Sequence, residues 1–215
     1  MQHLEREPGP SSDRPFIDNR MPTQATSGEP TWSAAPTHTM TGQTSATSPK
    51  SAPAKTIRLE LADEAATAAL GGLLARAISP GFVMHLSGDL GAGKTTLARH
   101  LIRALGYTGR VKSPTFALVE LYNFPKFDLY HFDFYRLTAQ EAWREAGFEE
   151  QLDGAAAALV EWPEMAGDTL PAPDVRVRLE QADDDSARLV ILEAYSDAGV
   201  ACLNTIADAR SCEPD

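Results

Sequence analysis

Apolar and polar positions change rhythm several times along this chain, and each change marks an element. Ile57, Leu59 and Leu61 alternate with polar neighbours, the period of a half-buried strand. Asp63 then stands where a helix cap belongs, before an apolar stripe of Ala66, Leu70, Leu73 and Ala77. Gly71 and Gly72 weaken that helix by roughly 1 kcal/mol each relative to alanine. "PGFVMHLSG" reads as a buried strand after a Pro-Gly turn, and further strands are predicted at "TFALVELY", "LYHFDFY" and "AAALVEW". Thr138 and Glu141 have capping-box spacing, so a helix is predicted near "TAQEAW". "VRVRLEQADDDSARLVILEAY" is two alternating runs around an acidic turn, a hairpin. Strands alternate with helices and a hairpin closes the domain. The expected fold is therefore α/β, with a mainly parallel central sheet, an antiparallel edge hairpin and helices on both faces.

The pattern fades at both ends. Residues 1–54 are rich in Pro, Ser, Thr, Gly and Ala and lack periodic apolar positions, so a disordered extension is expected before an ordered domain at 55–196. Met21 and Met40 are alternative starts. Residues 197–215 are expected to form a flexible tail. Cys202 and Cys212 match no metal or redox spacing and read as free thiols of a reducing cytoplasm.

Charge narrows the function classes. Nineteen Lys and Arg against thirty Asp and Glu give a formal net charge of -11. That disfavours a broad nucleic-acid footprint and a polybasic membrane anchor. No long apolar run suggests a membrane span, and the N-terminus lacks a signal-type apolar core. A cytoplasmic protein, monomeric when isolated, is expected.

One motif carries defined chemistry. "GDLGAGKTT", residues 88–96, fits G-x-x-x-x-G-K-[ST] in full. A buried strand precedes it, and a helix follows with Leu97, Leu101, Ala104 and Leu105 in register and Gly106 as its C-cap. Gly88, Gly91 and Gly93 allow the backbone to fold into an anion-binding nest at the positive end of the helix, with Asp89 and Ala92 between them. Lys94 is placed to reach the β- and γ-phosphates, Thr95 to ligate Mg²⁺, and Thr96 continues the loop.

Such a loop needs a carboxylate at a strand end to hold hydrated Mg²⁺. Asp133, in an aromatic strand that disfavours it, and Glu161, after four apolar residues, both qualify. In a strand His131, Asp133 and Tyr135 share one face while Phe132 and Phe134 take the other. Two acids converging on one Mg·ATP account for both: one for the metal's water shell, one to orient the attacking water. Ser113-Pro114-Thr115 interrupts an apolar stretch, and Thr115 could sense the γ-phosphate. The guanine-reading N-K-x-D is absent, since "NFPK" does not match, so adenine remains by elimination.

"GDLGAGKTT", "VKSPTFALVE", "HFDFYRL" and "VEWPE", in this order and spacing, resemble the TsaE (YjeE) family, from about residue 57 to 195. The resemblance implies a P-loop NTPase fold with weak intrinsic ATPase activity. The activity would serve a complex that makes N6-threonylcarbamoyladenosine beside the anticodon of ANN-reading tRNAs. It implies TsaD and TsaB as protein partners and contact with tRNA only through them. It also implies nucleotide contacts by Trp162 and, on the adenine side, by Glu64 and Thr67. A nucleotide-dependent interaction switch and a small-molecule kinase are the alternatives. Only Arg136 is near the motif, and no Arg-rich lid is apparent for a kinase.

Overall fold

The computed structural model describes residues 52–211, apart from 153 and 183–185. The expected disordered segment up to 51, both alternative start methionines and Cys212 lie outside those residues. Among the described residues seven strands form one sheet: β1 (Lys55–Leu61), β2 (Val83–Ser87), β3 (Val119–Asn123), β4 (Asp128–Asp133), β5 (Ala157–Glu161), β6 (Val175–Gln181) and β7 (Arg188–Ala194). Their order across the sheet is β1-β7-β6-β2-β5-β4-β3. β6, β2, β5 and β4 are parallel and make the centre. The expected hairpin β6–β7 forms, and β1 adds to it antiparallel.

A second antiparallel edge was not foreseen. β3 pairs with β4 through a turn at 124–127, where the Phe124 N–H donates to the Phe127 carbonyl. The predicted strand at "TFALVELY" starts only at Val119. Residues 115–117 turn instead, closed by the Leu118 N–H on the Pro114 carbonyl, with Leu118 at φ 64°. Pro114 has no N–H for a strand ladder, and the turn lets two hydroxyls reach Asp133. β4 also ends earlier than "LYHFDFY" suggested. Its last residue is Asp133, so Tyr135 lies beyond the strand.

Three helices, α1 (Glu64–Ala75), α2 (Lys94–Ala104) and α4 (Asp197–Ser211), share one core with the face of Met84, Leu86, Leu129, Leu159 and Val177. The other face carries a smaller core of Phe132, Phe134, Trp143 and Val160, covered by the single-turn helix α3 (Ala142–Glu145) and short 3₁₀ turns. Helical elements thus lie on both faces, with the long ones on one. At α3 the expected Thr138 cap is absent, and Glu141 holds the N-cap position without a side-chain bond. Four residues cannot sustain a helix alone, and here Trp143 anchors it, donating from Nε1 to Thr169 Oγ1 at 2.7 Å.

The expected flexible tail at 197–215 is corrected over its described part. Residues 197–211 form α4, and Cys202, Leu203 and Ile206 are buried against the sheet and α1. The helix was missed because its apolar positions are spaced among alanines and polar residues, a weak amphipathic signal. In α1 the Asp63 cap forms, accepting from the Ala66 N–H at 2.8 Å. The buried line, however, is Thr67, Leu70, Gly71, Leu74 and Ala75; of the predicted stripe Leu70 lies on it, while Ala66, Leu73 and Ala77 pack only partly buried beside it. Gly71 explains the shift. A Cβ there would lie 2.9 Å from His100 Cβ, so α1 and α2 touch at a glycine that sequence alone marks only as a weak point.

Candidate functional site

β2 runs straight into residues 88–93 and then α2, the strand–loop–helix context that the glycine pattern demands. Gly88, Gly91 and Gly93 all have positive φ. At Gly88 close approach matters as well as φ: a Cβ would stand 2.1 Å from the Leu179 carbonyl oxygen of β6. Gly93 is the N-cap of α2 and offers no side chain, so the helix start presents backbone donors.

Lys94 is buried. Its Nζ donates to the carbonyls of Gly88 at 2.6 Å and Asp89 at 2.8 Å, and lies 3.8 Å from the Trp162 ring centre. Burial pulls its amine below the ordinary value, opposed by the charges of Glu161, Glu164, Asp133 and Asp89. Trp162 holds this place with a left-handed backbone, φ 58°, uncommon for a bulky side chain, and Pro163 follows it. The Tyr135 ring packs on it at 4.9 Å.

The two acids meet in register. Asp133 and Glu161 are paired neighbours at the ends of β4 and β5, and both are almost wholly buried. Glu161 Oε2 accepts from the Thr95 hydroxyl at 2.8 Å, and Oε1 lies 2.8 Å from His131 Nε2. Asp133 Oδ2 accepts from Ser113 at 2.7 Å and Thr115 at 2.6 Å, while Oδ1 accepts the Tyr135 N–H at 3.0 Å. His131 and Asp133 share a face as predicted. Tyr135 reaches the site by a different route, through its N–H and its ring.

These groups line a cleft of about 260 Å³. It gathers Gly91, Gly93, Lys94, Thr95, Thr96, Thr115, Asp133, Glu161 and Trp162 from the predicted set, and adds Leu90, Ser113 and Tyr135. Glu64, Thr67 and Ala92 line a second cleft of about 140 Å³, which shares Gly91, Gly93 and Thr96 with the first. Gly88 and Asp89 line neither and act through their carbonyls on Lys94. Within the second cleft the Thr67 hydroxyl is spent on the Asp63 carbonyl, and Glu64 contacts His100 at 3.2 Å.

Sequence reasoning missed four groups. Ser113 hid beside the more suggestive Thr115. Glu164, whose acid is raised by burial, was masked by its neighbours in "VEWPE". His131 looked like one more strand residue. Arg188, which lines the second cleft and donates from Nε to the Ala92 carbonyl at 3.1 Å, comes from a hairpin with no local motif.

The donors suit a small hard cation: one hydroxyl and two carboxylates, all oxygen. Among the described residues no three acidic, histidine or cysteine side chains cluster closely enough to hold a metal by themselves, so water or phosphate oxygens would complete the set. No helix among the described residues is long and apolar enough to cross a membrane.

A glycine nest opening a helix, a buried lysine lying back on the loop, and a strand-end carboxylate on the next hydroxyl together define a P-loop nucleotide-binding fold. The family described as "Threonylcarbamoyl adenosine biosynthesis protein TsaE" matches residues 61–190. The tRNA threonylcarbamoyladenosine biosynthesis protein TsaE of Haemophilus influenzae is 41% identical over 117 residues, 54% of this chain and 73% of that protein. Its counterpart in Rickettsia felis is 38% identical over 143 residues, 66% of this chain and 83% of that protein. The crystal structure of Bacillus subtilis YdiB superposes with a TM-score of 0.62 at 29% identity, covering 73% of this chain and 97% of that one. The chain belongs to the TsaE family.

Proposed function

We propose that this chain binds and hydrolyses Mg·ATP as a subunit of the complex that makes N6-threonylcarbamoyladenosine beside the anticodon of ANN-reading tRNAs. It works in the cytoplasm through TsaD and TsaB, and meets tRNA only through them. The observation that carries the reading is the Thr95 hydroxyl on Glu161, in register with Asp133, at the mouth of the glycine loop. Family membership supplies the pathway.

The residues divide the work. Backbone N–H groups of residues 91–95 cradle the phosphates, and Lys94 leaves the Gly88 and Asp89 carbonyls to meet them. Thr95 and Glu161 hold Mg²⁺, which when bound neutralises developing phosphate charge. Asp133, on the side of Ser113 and Thr115, orients the attacking water. Glu64 and Thr67, in the adjoining cleft, take the adenine side, and Trp162 with Tyr135 covers the phosphate end. Arg136 lies over the Phe116 ring at 4.5 Å and is not among the residues lining the cleft, which disfavours a kinase.

A switch in which binding alone matters has one observation in its favour. Phe116 and Leu90 stand 86% and 73% exposed next to Thr115 and the glycine loop, where a partner could read the bound state. Depletion of the protein, followed by nucleoside mass spectrometry of bulk tRNA, tests the function. Rescue by wild type but not by a Glu161→Gln variant that still binds ATP supports required hydrolysis. Full rescue by that variant supports the switch. Normal modification after depletion defeats both.

A further inference from the structure

Glu161 is held from two sides, and only one side belongs to the phosphate loop. Thr95 of α2 takes Oε2, while His131 of β4 meets Oε1 at 2.8 Å. With Glu161 ionised, that contact requires a proton on Nε2. His131 is fully buried, and its Nδ1 has no hydrogen-bond partner. An orphaned buried nitrogen is destabilising. Leu129, two residues earlier on the same face of the strand, fills its place without that cost. Packing alone therefore favours an apolar residue at 131, and only the bond to Glu161 offsets the imidazole.

We propose that His131 is a positioning residue. Its Nε2–H anchors Oε1 and so fixes the plane of the Glu161 carboxylate. Oε2 is thereby turned towards Thr95 and the cation they share. A glutamate has enough torsions to present either oxygen in several directions. Anchoring one oxygen from a neighbouring strand leaves the other a single direction. The strand register provides the geometry, because His131 pairs with Leu159, two residues before Glu161 on the same face. This inference rests on the Mg·ATP reading above.

The test compares His131→Leu, of similar bulk but without a donor, with His131→Gln, which keeps an N–H. Titration calorimetry measures ADP affinity with and without Mg²⁺, and steady-state phosphate release in the presence of TsaD and TsaB gives kcat and KM. Partners of metal-binding side chains typically change affinity or activity by about 10–100-fold when removed. The Leu variant should keep its Mg²⁺-free ADP affinity but lose most of the affinity gained on adding Mg²⁺. Its kcat should fall about tenfold and its KM for Mg·ATP should rise in step with the lost affinity, and Gln should recover much of both. If Leu retains the Mg²⁺ gain, or Gln and Leu are equally impaired, the proposal is overturned. If Leu does not fold, Asn, too short to reach Oε1, replaces it in the comparison. If wild type gains affinity with Mg²⁺ yet releases no phosphate, hydrolysis fails while the positioning role is still decided by binding.

Discussion

The two walls of the nucleotide cleft are made of different chemistry. Residues 88–95 offer mainly backbone groups, folded by three glycines at positive φ, with the Lys94 and Thr95 side chains at the helix start. The facing wall is built chiefly of side chains: Ser113 and Thr115 from a turn, Asp133 from β4 and Glu161 from β5, with His131 buried behind Glu161. A backbone wall depends on chain path, so its failures come from a wrongly placed Cβ. A side-chain wall depends on individual atoms, so its failures come from one lost hydroxyl or carboxylate. The first wall is continuous in sequence. The second exists only because adjacent parallel strands end in register.

The largest expected effect breaks the first wall at its lysine. Lys94→Ala should weaken ATP binding roughly 100-fold, since charge-assisted bonds to phosphate are lost, while the melting temperature barely moves. Calorimetric titration with Mg·ATP checks this, and unchanged affinity would remove the phosphate-site assignment. On the opposite wall, Glu161→Gln keeps the shape and removes the charge. Phosphate release should fall about 100-fold while nucleotide binding stays measurable, as judged by single-turnover assay beside calorimetry.

Thr115→Ala sharpens the contrast. Asp133 loses one of two hydroxyl donors and keeps Ser113, so the rate should drop only about threefold to tenfold. A loss as large as that of Glu161→Gln would mean that Thr115 meets the phosphate itself. A separate effect, on stability rather than on nucleotide handling, lies away from both walls. His85, on the far face of β2, has its pKa lowered to about 3, mainly by burial and then by Arg176. The native state refuses a proton that the unfolded chain accepts below about 6.5. Stability is therefore full above that pH and declines as pH falls towards 3. Denaturant titrations across this range should show the slope, and His85→Leu should flatten it.

How much could be read in advance follows the same division. The glycine loop, the Asp63 cap, the strand before the loop and the β6–β7 hairpin were legible because each is a local pattern with its own period or turn chemistry. Asp133 and Glu161 were legible as oddities, carboxylates at the ends of apolar strands. The edge pairing of β3, the turn after Pro114, the shortness of α3 and the packing of α4 were not. In each case a tertiary contact overrides a weak local signal. Trp143 on Thr169 holds one turn of α3, and the sheet with α1 gives α4 its buried face.

The sequence by itself determined that a phosphate-binding loop lies between a buried strand and a helix, because loop dihedrals and helix donors are properties of consecutive residues. Tertiary structure alone decided which partners each carboxylate keeps. Glu161 meets a threonine 66 residues away and a histidine 30 residues away. Those separations are closed by strand order and register, and no local period encodes either.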